Sequence, residues 1–158
     1  MEKHTLEPFY NKDSEILILG SFPSVKSREK GFYYAHPKNR FWQVLRIIYN
    51  EELIDIDSKK KFLIKYKIAL YDVCASCDIE KSKDASIKNV IPNNIESILK
   101  ETNINKIYVN GKTAYNLYNK LLRNKINVEA IYLPSTSPAN AKFKLEDLIK
   151  EYERIKDC

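Results

Sequence analysis

Two short segments of this chain concentrate the side chains that can do chemistry. The first reads Gly20-Ser21-Phe22-Pro23-Ser24, then Ser27, then Gly31-Phe32-Tyr33-Tyr34-Ala35-His36-Pro37-Lys38-Asn39-Arg40-Phe41-Trp42. A glycine with a proline three positions on makes a rigid turn whose backbone can approach a ligand closely. The second reads Leu133-Pro134-Ser135-Thr136-Ser137-Pro138-Ala139-Asn140-Ala141. Its three hydroxyls and one amide, held between prolines, suit neutral hydrogen bonds to a phosphate or a base, and Asn140 is also placed to cap the last helix. Each segment also has a plainer reading, a loop that packs Phe32, Phe41 and Trp42 inward and a proline-rich turn. Neither GxxxxGK[ST] nor GxGxxG occurs, so a Walker or dinucleotide phosphate loop has no support.

The elements that must position these segments are legible as periodicity. Four short apolar runs, at 15–19, 67–73, 106–110 and 128–133, are rich in Ile, Val, Leu and Tyr and read as strands buried on both faces. Helical spacing lies between them. It covers 39–49, then Phe62, Leu63 and Tyr66, then Asn94, Ile95, Ile98 and Leu99. It returns at Ala114, Tyr118, Leu121 and Leu122, and in a last stripe at Leu145, Leu148, Ile149, Tyr152 and Ile155. The alternation predicts an α/β fold, a three-layer α/β/α sandwich whose four-stranded parallel sheet binds ligand beyond the carboxyl ends of its strands. Gly20, the Asn110-Gly111 pair and the loop 134–140 all fall at such ends. Residues 1–14 read as a lead-in, 156–158 as a frayed end, and 1–158 as one domain.

Composition narrows the partners. Hydrophobic residues at 44% and charged residues at 30% exclude a disordered or collagen-like chain. No stretch reaches the roughly 20 apolar residues of a membrane span and no signal-like run opens the chain, so the expected location is cytoplasmic. The formal charge of +6 fits a polyanion, although a Lys-, Asn- and Ile-rich composition produces the same surplus without a binding surface. Cys74, Cys77 and Cys158 are read as free thiols. The CxxC spacing lacks the four ligands that structural zinc or an iron–sulfur cluster needs, so neither metal nor cofactor is expected.

Taken together, GSFPS, GFYYAHPKNRFW, YDVCASCDIEKSKDASI at 71–87, Asn110-Gly111 and LPSTSPANA resemble the uracil-DNA glycosylase superfamily. The deoxyinosine, or hypoxanthine-DNA, glycosylase branch is most similar, and the resemblance runs from about residue 14 to 152 with the motifs in the family's order. It implies the four-stranded fold above, motif one at 20–24 and motif two at 135–140. Where uracil-specific relatives carry a water-activating Asp or Asn, this chain has Phe22, and Ser24 stands where the most uracil-restricted enzymes use tyrosine, which implies a larger base pocket. The catalytic amide of the branch falls in the HPxN segment and maps to Asn39, with Asp72 and Asp84 as acidic alternatives. Tyr34 maps to the ring that stacks on the base. Ser21, Phe22 and Asn110 are the other candidate base contacts, and Ser24, Ser135, Ser137 and Asn140 the candidate DNA contacts. The superfamily often inserts a leucine wedge from motif two; Ala139 and Asn140 stand there, which leaves open the side chain that fills the gap in the duplex.

What the resemblance implies is a monofunctional DNA N-glycosylase, a monomer, acting on DNA with deaminated bases: hypoxanthine first, then uracil or xanthine. An amide can orient water without strongly abstracting its proton, which suffices for a good leaving group. Extruding the nucleotide costs a few kcal/mol, less at a mispaired base. His36, next to a proline and without a paired acid, reads as structural. Two other readings stay open: a catalytically silent nucleic-acid-binding module of the same fold, and a serine hydrolase using Ser21 or Ser135 with His36, for which no GxSxG elbow exists.

Overall fold

The run Ile16–Gly20 is buried at every position because it lies inside the sheet, with a strand on each side and helices on both faces. In the computed structural model, which describes residues 1–156, this strand (β2) pairs in parallel with β3 (Ile68–Asp72) and β6 (Lys106–Asn110). Strand β6 pairs in parallel with β7 (Ala130–Leu133), so the order is β3-β2-β6-β7. Alternate side chains part to opposite faces. Ile16, Ile18, Ile68, Leu70 and Tyr108 pack with α2 (Phe41–Tyr49), α3 (Ile56–Lys65) and α6 (Leu145–Tyr152). Leu17, Leu19, Ala69, Ile107 and Val109 pack with α4 (Ile95–Glu101) and α5 (Lys112–Leu121). These are the expected three layers.

The structure adds a second sheet that periodicity does not reveal. The expected strand 67–73 stops at Asp72, and β4 (Cys74–Asp78) then pairs antiparallel with β1 (Glu2–Lys3) and β5 (Lys88–Pro92). Asn93 pins this change of sheet: its Nδ2 donates to the Asp72 carbonyl at 2.9 Å and the Cys74 carbonyl at 3.1 Å. The segment 1–14, the expected lead-in, is tied into the fold. It supplies β1, and Phe9 exchanges backbone hydrogen bonds of 3.0 and 2.9 Å with Leu70, covering the β3 edge.

Caps explain the remaining boundaries. Helix α1 (Val25–Lys30), absent from the periodic pattern, starts because the Ser24 hydroxyl accepts from Ser27 N–H at 3.1 Å, and it stops at Gly31 with φ 79°. The last helix is not capped by Asn140; Lys144 precedes it, and its N–H donates to Asp147 at 2.9 Å. Gly111 has φ 98°, and a side chain there would meet Ser135 Cβ at 3.1 Å, which brings the β6 end against the loop after β7. Among the described residues, no helix is long and apolar enough to cross a membrane. Cys158 lies outside the described residues.

Candidate active site

At the carboxyl ends of β6 and β7 three side chains interlock. Thr136 is fully buried; its N–H donates to Asn110 Oδ1 at 3.1 Å and its hydroxyl accepts from Asn110 Nδ2 at 3.0 Å. The same hydroxyl donates to Asn39 Oδ1 at 2.8 Å, and that oxygen also accepts from Phe41 N–H at 2.9 Å. Asn39 is thus an Asx-turn residue in front of α2, half-buried, with its carbonyl oxygen doubly bonded. Its Nδ2 has no hydrogen bond among the described residues. Nor is it sealed from solvent: among the described residues, Asn39 Nδ2 is not one of the buried side-chain atoms that lack a hydrogen bond.

Arg40 ties the neighbouring loop to the same spot. Its N–H and Nε donate to the Thr136 carbonyl at 3.0 and 3.4 Å. One terminal nitrogen donates to the carbonyls of Ser137 at 2.8 Å and Asn140 at 3.2 Å, and the other to that of Phe143. A guanidinium fork matches such a fan of acceptors, and a lysine would not. Asn39 and motif two are thereby held as one piece.

The ends of β2 and β3 form the other wall. A Cβ on Gly20 would fall 2.5 Å from Asp72 Oδ1 and 3.1 Å from Tyr34 Oη, so only glycine lets these groups meet. Asp72 is buried, and its Oδ2 accepts from His4 Nε2 at 2.8 Å. His4 Nδ1 accepts from Leu6 N–H at 3.2 Å, which fixes the proton on Nε2. Tyr34 has φ 54° and stacks on Phe41 with ring centres 3.9 Å apart. Burial, and then the Asp72 charge, push its hydroxyl well above the usual tyrosine range, so it stays a donor. Asp84, in the turn between β4 and β5, is pushed up to about 6 by burial, against the opposing effect of Ser21 and with a smaller push from Asp72. Ser21, Tyr34, Asp72, Asp84 and Asn110 therefore converge, and Asn39 joins them through Thr136.

Other candidates stand further back. Phe22 is buried with Cys74 and Cys77 and packs edge-on against His4, so only its backbone is available to a ligand. The Ser135 and Ser137 hydroxyls accept from Ser137 N–H at 3.1 Å and Ala139 N–H at 3.2 Å, and Asn140 Nδ2 donates to the Ser135 carbonyl at 3.0 Å. All three stiffen their loop. His36 is exposed and accepts from Lys38 N–H at 3.1 Å. Cys74 and Cys77 are unpaired thiols, pushed up by burial. No group of three or more His, Cys, Asp or Glu able to hold a metal occurs among the described residues. Surface depressions of about 560 Å³, lined by Phe32, Tyr33, Ala35 and Ile54 among others, and about 270 Å³, beside Asp78, are lined by residues other than the candidates named above.

Sequence patterns do not single out His4, Thr136 or Arg40 as functional residues. For Thr136 the signal was its place between two candidate serines; for His4 there was none.

The model of the uracil DNA glycosylase superfamily matches residues 7–155. The chain belongs to that superfamily. Two curated relatives, both named hypoxanthine DNA glycosylase, agree. The one from Methanosarcina barkeri is 36% identical over 146 residues, 90% of each chain. The one from Methanosarcina acetivorans is 36% identical over 147 residues, 90% of this chain and 91% of the relative. The solution structure of a provisionally assigned uracil DNA glycosylase from M. acetivorans superposes with a TM-score of 0.79 at 30% identity over 98% of both chains. As a member of the uracil DNA glycosylase superfamily the chain is a DNA N-glycosylase, a hydrolase of N-glycosyl bonds.

Proposed function

We propose that this glycosylase takes a deaminated base, hypoxanthine first and uracil or xanthine second, out of DNA at the rim between the β2 and β7 ends and hydrolyses its glycosidic bond. Water oxygen bonds to C1′ as the C1′–N bond breaks; the electron pair leaves with the base, which gains the proton that water loses. Asn39 meets the reacting nucleotide, and Tyr34 stacks on the everted base with the ring face opposite Phe41. Ser21 and the Phe22 backbone line the base site, with Asn110 behind them, its amide nitrogen bonded to the Thr136 hydroxyl and next to that of Tyr34. Ser24, Ser135, Ser137 and Asn140 face the phosphates. The protein works as a single-domain monomer, without cofactor, in the reducing cytoplasm that its unpaired thiols suit.

The observation that carries this reading is the position of Asn39. Its carboxamide is anchored at one end, accessible at the other, and fixed to the loop that closes the rim. The test is incubation with duplexes containing deoxyinosine, deoxyuridine or deoxyxanthosine, followed by alkali. Strand breaks with deoxyinosine are expected, and their loss in Asn39→Ala with folding and duplex affinity kept. Release of no base from any duplex would leave a silent binding module of the same fold. Wild-type rates in Asn39→Ala would move catalysis to Asp72 or Asp84.

A further inference from the structure

Donors and acceptors around Asn39 decide which end of its amide faces outward. A backbone N–H can only donate, so the atom 2.9 Å from Phe41 N is the carbonyl oxygen. Thr136 agrees with this orientation. Its hydroxyl accepts from Asn110 Nδ2, an amide nitrogen that can only donate, so its single proton is free to point at Asn39 and matches the oxygen that Phe41 N–H already places there. Asn110 is fixed in turn, because its Oδ1 receives the Thr136 N–H. Each member of this buried relay has one consistent orientation.

The two lone pairs of Asn39 Oδ1 are therefore both engaged, and the solvent-accessible end is the NH2 group. We propose that Thr136 is a positioning residue that holds Asn39 with its NH2 toward the substrate, so that Asn39 works as a hydrogen-bond donor to the departing base rather than as an acceptor for the attacking water. The inference rests on the reading that Asn39 meets the reacting nucleotide. A hydrogen bond donated to a base carbonyl oxygen or ring nitrogen strengthens as the glycosidic electron pair moves onto the base, which is the condition for lowering a barrier.

The experiment compares single-turnover base release and duplex affinity in four variants on deoxyinosine DNA. Asn39→Asp replaces the NH2 with an acceptor: its rate should fall about 10²- to 10³-fold at neutral pH, as far as Asn39→Ala. It should recover on acidification, because a protonated carboxyl donates again. Thr136→Val removes the hydroxyl and should lower the rate about 10- to 100-fold with duplex affinity unchanged; Thr136→Ser, which restores it, should regain most of the loss. Asn39→Asp at or above the wild-type rate overturns the donor role even if Asn39→Ala is inactive. Thr136→Val at the wild-type rate overturns the positioning role. If Thr136→Val does not fold, Thr136→Ser against Thr136→Ala gives the same comparison. A fully active Asn39→Ala would instead defeat the underlying assignment, an outcome distinct from the other two.

Discussion

His4 Nε2 donates to Asp72 Oδ2 at 2.8 Å, joining groups 68 positions apart that are each almost wholly shielded from water. Removing one partner of such a pair leaves a carboxylate buried without its donor. His4→Ala should destabilise the protein by about 3 kcal/mol. Urea denaturation measures this, and a loss under about 0.5 kcal/mol would show that water replaces the imidazole at no cost.

Asp84 makes stability depend on pH in an unusual direction. Its folded pKa, about 6, lies above the ordinary value of 3.8, so the native state binds more protons than the unfolded chain between these values. The stability contributed by the protonated carboxyl is complete below about pH 4 and is lost as pH rises through about 6. Asp84→Asn should abolish this decline and gain on the order of 1 kcal/mol relative to wild type at pH 7. Thermal melts of both proteins from pH 4 to 8 test it; parallel curves would refute it.

The Arg40 fork should not tolerate its nearest chemical substitute. Lysine keeps the charge but cannot reach the carbonyls of Thr136, Ser137, Asn140 and Phe143 together. Arg40→Lys should cost about 2–3 kcal/mol. It should also raise amide exchange across 136–143 while leaving β2 and β6 protected. Uniform exchange behaviour in the two proteins would count against a local clamp.

Gly20→Ala probes the other wall. The new methyl would overlap Asp72 Oδ1, which His4 holds in place, and press on Tyr34 Oη. Overpacking of this kind costs about 1–3 kcal/mol. Base release should fall with it, since Asp72 and Tyr34 must both shift. An alanine variant with unchanged melting temperature and rate would show that the wall yields freely.

The parallel sheet is legible in the sequence because burial on both faces leaves continuous apolar runs, and the helices announce themselves at Leu145, Leu148 and Tyr152 or Ala114 and Tyr118. Strands β4 and β5 escape because CASCD and KNVIP are short, polar in part and irregularly registered. The site divides in the same way. Asn39, Tyr34 and the hydroxyl loop stand in recognisable strings, whereas His4–Asp72, Asn39–Thr136 and Arg40–Phe143 span 68, 97 and 103 positions. Local periodicity carries no information about such contacts; only the crossover connections of the sheet create them.

The guanidinium that welds the amide segment to motif two also removes any hinge between them. On the proposed reading, the enzyme then accommodates its target by compliance of the nucleic acid, with little give of its own. Stiffness of the duplex around the damage becomes part of what is recognised: a nucleotide in a loosely stacked or wobble-paired step reaches the rim at lower cost than one in a rigid tract, whatever its base.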